Sequence, residues 1–408
     1  LREIIRSKRR FPKDEFAKLK EAFPCILASV RDYAEYIPLL PGVFDIVIID
    51  EASQVSIAQA FPALLRGKKV LILGDNKQFS NIKAAQARAE VNKEYMNSLE
   101  DTFRKCVSVD QTKLARLAKF NIKTSVLDFT SFISNYTVQL QKHFRCYKEL
   151  ISYSNFTFYD DSLQVMKIRG KRADEVLKFT FVPHDGQKEP VPKTNSIEAD
   201  FILEELKRLV AEDRQCSIGV ITPHTNQQKL IYQKALQLPE GNELLERYRL
   251  KVMTFDTCQG EERDIIYYSM VATDQDDRLG YIFPKDLRNI DFESNGRIRV
   301  QRLNVGVSRT KECMHFVLSR DLGEYAGAIG EALRHYQDVL SKAKMEVLPS
   351  ETDRASPMES NVLNWLYQTR FWKEKHDSIE VMPQFPIGEY LQQLDRSYAH
   401  PKYKVDFL

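Results

Sequence analysis

Two adjacent carboxylates, Asp50 and Glu51, close the apolar run FDIVII. A carboxylate at the end of a buried strand can hold Mg2+ or its water, and a second beside it can polarise an attacking water. Phosphoryl transfer needs both. Downstream, KKVLIL leads into Gly74-Asp75-Asn76-Lys77-Gln78. Gln78 can contact a γ-phosphate or orient water, and Asp75 can couple to the metal shell. In Gln259-Gly260-Glu261-Glu262, the glycine permits close backbone approach to a ligand. Glu261 or Glu262 can accept from ribose hydroxyls or from an arginine. Arg145 in LQKHFRCY and Arg309 in NVGVSRTK carry guanidinium forks that match phosphate oxygens. Two such forks at a γ-phosphate supply transition-state charge, worth roughly 10³–10⁵ in rate in known finger systems. Alone, each group has a plainer reading: an acidic pair ending a strand, a Gly-Asp-Asn turn, arginines in surface ion pairs. Their joint spacing makes the phosphate chemistry sharper.

Such residues need strands and helices to hold them. FDIVIID, 44–50, follows the breakers Pro38, Pro41 and Gly42 and reads as a buried parallel strand. EASQVSIAQAFPALL predicts a helix, and 69–73 a second buried strand. Strand, helix, strand is the unit of an α/β sheet, whose ligands bind at the C-terminal strand ends. Residues 81–135 read as helical without a sharp motif. SIEADFILEELKRLVA, 196–211, predicts a helix with Asn195 and Glu198 at capping-box spacing and Ser196 as the other candidate cap. CSIGVITP, VMTF (252–255), IIYYSMVA (265–272) and MHFVLS (314–319) predict a second set of strands, with a polar helix start at 225–235. The charged insertion 274–302 reads as a loop or hairpin. LPSETDRASPMES, 348–360, reads as a linker into a helix with Ser356 as N-cap, Pro357 at N1 and Glu359 at N3. IEVMPQFPIG and KYKVDFL then read as strands of a third unit.

The 408 residues predict two or three domains with full cores. Lys plus Arg number 60 and Asp plus Glu 57, a net charge of +3, so a tail-like electrostatic binder is excluded and nucleic-acid contact needs local patches. The six cysteines contain no CxxC spacing. No zinc or disulfide framework is expected, and a reducing, cytoplasmic setting fits. No apolar run approaches the roughly 20 residues of a membrane span, and no signal peptide is visible. The opening Leu1 in place of Met suggests a fragment.

Taken in chain order, the motifs resemble those of superfamily 1 helicases of the Upf1-like (DNA2/NAM7) type. FDIVIIDEASQ resembles Walker B, which implies Asp50 as the Mg2+ ligand and Glu51 as the base for water. LILGDNKQF is similar to motif III, with Gln78 sensing the γ-phosphate. LQKHFRCYKELISYSN is similar to motif IV and RLNVGVSRTKECMHFV to motif VI, which makes Arg145 and Arg309 the two fingers. VMTFDTCQGEERDIIYYS is similar to motif V. PCILASVRDYAEYIP resembles the nucleic-acid-contacting stretch before Walker B. The resemblance covers roughly residues 24–320. It implies ATP and Mg2+ as cofactors, with Asp50, Asp75, Gly260 and Glu262 binding the nucleotide. Nucleic-acid contacts fall to Ser29, Thr222, Pro223, His224 and Thr254. The nucleotide would lie between the acidic strand ends and the two arginines, and a monomer would move along single-stranded or partly duplex nucleic acid, DNA favoured over RNA.

One departure matters most. No GxxxxGKT or GxxxxGKS occurs, and RGKKV at 66–70 follows Walker B. Without that phosphate cradle and its lysine, ATP hydrolysis by this chain alone is not expected. Truncation is one account and natural loss another. The tail resembles the start of a restriction-endonuclease-like fold, in its very-short-patch-repair or DUF559-like form, which implies Asp406 and Glu359 as metal ligands beside Gln384. The expected fold is therefore α/β, with tandem RecA-like P-loop NTPase domains. The first, incomplete, spans 1–135, the second 136–345, and a linker with a partial nuclease-like domain 346–408. Three alternatives stay open: an RNA helicase of the same family, a non-catalytic nucleic-acid-binding module keeping the helicase fold, and a phosphate-handling enzyme of another α/β class.

Overall fold

A computed structural model describes residues 16–78, 89–107, 109–122, 124–167, 169, 171–273, 279–285, 294–344, 357–376, 379, 381–385, 387–395, 397–400 and 402–408. The chain divides into two units, Leu1–Val138 and Gln139–Leu408. The proposed Ser356 cap, residues 81–88 and, within the 274–302 insertion, residues 274–278 and 286–293 lie outside the described residues.

In the first unit the order is α1 (Phe16–Ala22), α2 (Val30–Tyr36), β1 (Phe44–Ile49), α3 (Ile57–Leu65), β2 (Gly67–Ile72), α4 (Ala89–Cys106), α5 (Gln111–Arg116) and α6 (Val126–Ile133). Strands β1 and β2 pair in parallel, Ile46 opposite Lys69 and Ile49 opposite Ile72. Ser56 caps α3 by accepting the Ala58 N–H, and Ser125 caps α6 by accepting the Asp128 N–H. Ala52, Ala60 and Val126 form the small core between them. Arg66 acts as a buried clamp: its guanidinium donates to the carbonyls of Pro38 (2.9 Å), Pro62 (2.6 Å) and Ile37 (2.7 Å). One expectation fails here. Val47 is buried, but Ile46, Ile48, Val70 and Leu71 are exposed. Each strand has a neighbour on one side only among the described residues, so apolar composition alone did not bury it.

The second unit runs β3 (Lys142–His143), α7 (Lys148–Phe158), β4 (Gln164–Val165), α8 (Ala173–Val176), β5 (Leu177–Phe181), α9 (Ser196–Ala211), β6 (Ile218–Thr222), α10 (Thr225–Gln237), α11 (Gly241–Glu246), β7 (Lys251–Thr254), β8 (Arg263–Ser269), α12 (Ser294–Val307), β9 (Thr310–Leu318), α13 (Gly327–Lys344), α14 (Pro357–Gln368), α15 (Arg370–Lys375), β10 (Pro383–Phe385), α16 (Ile387–Leu394) and β11 (Val405–Phe407). Five strands form a sheet in the order β5-β9-β8-β6-β7, every pair parallel. Ile202, Leu206 and Leu209 of α9 pack with Ile218, Val220, Ile231 and Ile265 on one face, as their helical spacing predicts. Truncating a buried leucine such as Leu206 costs about 2–5 kcal/mol. The insertion read as a loop or hairpin is helical over Ser294–Val307. Its Gly306 lies under Phe255, where an added Cβ would come within 2.0 Å of the ring. The tail pairs β10 with β11 antiparallel, so that Gln384 falls opposite Asp406.

Candidate nucleotide and nucleic-acid sites

In the first unit the predicted acidic groups converge at the C-terminal end of the parallel pair. Leu73 N–H donates to Ile49 O (2.9 Å) and Ala52 N–H to Leu73 O (2.9 Å), which carries the pairing past the strands and sets residues 50–52 against 73–75. Gly74 is needed there, because a Cβ would crowd the Ala52 and Ser53 nitrogens at 3.3 Å. Glu51 holds φ +50, a left-handed backbone that costs a non-glycine residue about 1 kcal/mol or more. Its N–H donates to Asp50 Oδ1 (2.8 Å), and Gln54 Nε2 donates to Glu51 Oε2 (2.9 Å). Asp75 is organised likewise: Oδ1 accepts the Lys77 N–H (2.8 Å) and Oδ2 accepts Gln78 Nε2 (3.0 Å). Ser29 caps α2, accepting the Asp32 N–H (3.2 Å) and donating to Asp32 Oδ2 (2.7 Å).

In the second unit the structure gathers Arg145, Glu262 and Arg309 at the N-terminal edge of β8 and β9. Arg145 Nε donates to Glu262 Oε1 (2.5 Å) and its Nη1 to Ser308 O (3.3 Å). Lys311 Nζ lies 3.3 Å from Glu262 Oε2. Partial burial pushes the Glu262 carboxyl up, but the Arg145 and Lys311 charges outweigh it and hold it below the usual range. Arg309 is 2% exposed and donates to Val305 O (2.8 Å) and Ser308 Oγ (3.0 Å). Burial, then the neighbouring Arg145, push its guanidinium down. Gly260 precedes Glu262 with φ +76, a backbone suited to glycine. An open cavity of about 510 Å³ adjoins this edge, lined in part by Arg249, Gly260, Glu262, Arg263 and Lys311.

Of the predicted nucleic-acid residues, Ser29 belongs to the first unit, and those of the second unit sit at its sheet's opposite, C-terminal edge. Thr222 and Thr254 are register partners at the ends of β6 and β7. At about 3.3 Å per residue, β8 separates the two edges by roughly 20 Å. Thr222, Pro223, His224 and Thr254 are all buried, while the neighbours Thr225 and Thr257, which the sequence did not single out, are exposed. Thr257 Oγ1 accepts the Thr254 N–H (3.0 Å), and His224 is the N-cap residue of α10.

One further correction concerns a carboxylate. Asn195 does cap α9, accepting the Glu198 N–H (3.0 Å), but the Glu198 side chain turns inward to Ser269, Val271 and Ser319 instead of closing a capping box. Those donors lie on distant segments, so no local spacing announced them. Glu359 is buried and accepts from Gln384 Nε2 (2.7 Å). With Asp406 opposite Gln384, the tail brings its three singled-out residues into one neighbourhood. No group of three or more His, Cys, Asp or Glu able to hold a metal occurs among the described residues. No helix among them is long and apolar enough to cross a membrane.

Two AAA-domain family models match, one over residues 122–321 and the other over 25–82. An uncharacterized ATP-dependent helicase, MG140, of Mycoplasma genitalium is 29% identical over 340 residues, covering 79% of this chain and 27% of that protein. The DNA replication ATP-dependent helicase/nuclease DNA2 of Gallus gallus is 24% identical, covering 76% and 26%. The ATP-dependent helicase NAM7 of Saccharomyces cerevisiae is 24% identical, covering 66% and 24%. The chain thus spans about a quarter of the length of these curated relatives. Residues 25–82 and 122–321 thus match AAA-domain models, and the chain is similar in sequence to ATP-dependent helicases that include NAM7 and upf1.

Proposed function

We propose that the chain is the motor part, without a phosphate-binding loop of its own, of an ATP-dependent helicase or translocase that acts as a monomer on single-stranded nucleic acid. The observation that carries this reading is the separation of chemistries in the second unit. Arginines and Glu262 gather at one sheet edge, and the Thr222–His224 and Thr254 loops lie at the other. The first edge suits phosphate. The second ends in the N-terminus of α10, where backbone N–H groups favour a strand's phosphates, with exposed Thr225 and Thr257 as contacts and the buried residues as their seat.

In this reading Glu51 is the base that polarises the attacking water, Gln78 orients it, and Arg145 and Arg309 answer charge on the transferred phosphoryl. Asp50 fits Mg2+, because it is an exposed carboxylate and that ion is typically held by one or two carboxylates with waters and phosphates. Bound there, the ion would neutralise phosphate charge. DNA is favoured over RNA because of the tail, where Glu359 and Asp406 would form part of a nuclease-like metal site. The Gln384–Glu359 hydrogen bond supports that second reading.

The test is hydrolysis. The chain alone should not turn over ATP, and nucleic-acid-stimulated turnover by it would refute the missing-cradle argument. In any protein that joins this chain to a phosphate-binding loop, Glu51→Gln should abolish hydrolysis and keep ATP binding. Retained turnover defeats the assignment of Glu51.

A further inference from the structure

A closed ring of buried polar side chains lies beneath the C-terminal edge of the second unit's sheet. Asn195 Nδ2 donates to Ser319 Oγ (2.8 Å), and Ser319 donates to Glu198 Oε1 (3.0 Å). Ser269 donates to Glu198 Oε2 (2.6 Å), and Gln227 Nε2 donates to Ser269 Oγ (3.0 Å). Gln227 closes the ring on the Asn195 main chain, donating to its carbonyl (2.9 Å) and accepting its N–H (2.8 Å). Glu198 and Gln227 are both 0% exposed. A carboxylate with no cationic partner in its ring is costly to bury, and the phosphate chemistry has no use for one at this edge.

A separate observation explains its presence. Val271 holds φ +67, a backbone that a β-branched residue rarely adopts. Ala272 N–H bonds Met270 O across it (2.8 Å), making a tight three-residue turn at the end of β8. Such strain amounts to about 1–3 kcal/mol and persists only where the surroundings over-determine it. The Val271 N–H donates to Glu198 Oε2 (2.9 Å). Glu198 therefore receives three donors, two of them from the strained segment and the strand just before it.

We infer that Glu198 is a positioning residue for the nucleic-acid edge: it fixes the Met270–Ala272 turn after β8 and, through Gln227, the Thr222–Thr225 loop after β6 in one register. This rests on reading that edge as the strand-binding face. Ionised, as it is above about pH 7, the carboxylate only accepts. An amide there sets N–H groups against the Val271 N–H, or against a Ser319 hydroxyl already committed between Asn195 and Glu198.

Hydrogen exchange and strand binding of the full chain test the inference, using wild type, Glu198→Gln and Leu206→Ala. Leu206→Ala weakens the core of the same helix without touching the ring. In E198Q, peptides covering 219–228 and 266–273 should exchange about tenfold faster than in wild type, with 177–181 unchanged. Affinity for a labelled oligothymidylate should fall about fivefold or more in E198Q and stay within about twofold in L206A. E198Q with both loops as protected as in wild type overturns the inference. So does an L206A variant that loosens the same two loops and loses as much affinity, since the role is then merely structural. If the wild type binds no strand while the loops still loosen in E198Q, the strand-binding reading fails and the positioning role stands.

Discussion

Replacing Glu262 by glutamine removes the counter-ion shared by Arg145 and Lys311 and keeps the side chain's volume. The Arg145–Glu262 pair is partly exposed, at 29% and 33% of the side chains. Exposed pairs are worth about 0–1 kcal/mol and hydrogen bonds to charged groups about 1.5–3. A half-buried, two-contact carboxylate should therefore contribute about 1 kcal/mol, a shift in Tm of roughly 2–4 °C for a unit of this size. The same energy acts on a ligand. With Glu262 neutral, an incoming polyphosphate need not displace a carboxylate from Arg145, so affinity should rise about fivefold. Inorganic tripolyphosphate is the probe, because it carries no ribose for Glu262 to bind. Titration calorimetry of wild type and E262Q at low salt reads the difference, and added salt should shrink it as screening grows. Tripolyphosphate bound no tighter by E262Q than by wild type would show that Glu262 does not restrain the arginine.

Other outcomes follow from single contacts. Arg66→Ala leaves the carbonyls of Ile37, Pro38 and Pro62 without their donor and should destabilise the first unit by about 2–4 kcal/mol in urea titrations; a change below about 0.5 kcal/mol removes the clamp from the account. Gly306→Ala drives a Cβ into Phe255, whose ring is held edge-on by Phe283 at 4.8 Å, and should cost about 1–3 kcal/mol in thermal unfolding. Two carboxyls should shape the pH profile with opposite signs. Burial, against the Ser269, Val271 and Ser319 donors, raises Glu198 from 4.5 to about 7, so its contribution is full below 4.5 and declines as pH rises through 7, by about 3 kcal/mol. Burial also raises Glu312, but Lys167, Tyr147 and Lys171 outweigh it and lower it to about 2, so its contribution is full above 4.5 and lost as pH falls towards 2. E198Q should flatten the first limb and Glu312→Gln the second; an unchanged limb in either refutes that assignment.

Much of the architecture was legible because parallel strands announce themselves as short apolar runs. FDIVII, IGVIT and MHFVL all became strands of parallel sheets. Strand β5, Leu177–Phe181, was missed although its alternation of Leu, Phe and Phe with Lys and Thr was available to be read. Burial was less legible than strand formation, since Ile46 and Ile48 need a neighbouring layer that their own sequence does not specify. The arginine pair was legible as two separate candidates. The joining of Arg145 to Glu262 spans 117 residues, and no local pattern encodes it. Glu198 shows the same limit from the other side. Its spacing from Asn195 matched a capping box, yet the side chain answers to hydroxyls more than seventy residues away.

On the proposed function, the second unit's C-terminal edge receives a single strand at the start of α10. Affinity for single-stranded DNA, measured at stepped salt for wild type and Thr225→Asp, tests it most directly. An acidic residue at the first position of a helix suits the helix dipole, so T225D should fold at least as stably as wild type. Binding should weaken with salt at a slope of about −0.7 per phosphate neutralised, with a further loss of about fivefold in T225D. Binding that is absent at low salt, or indifferent both to salt and to the new charge at Thr225, would contradict it.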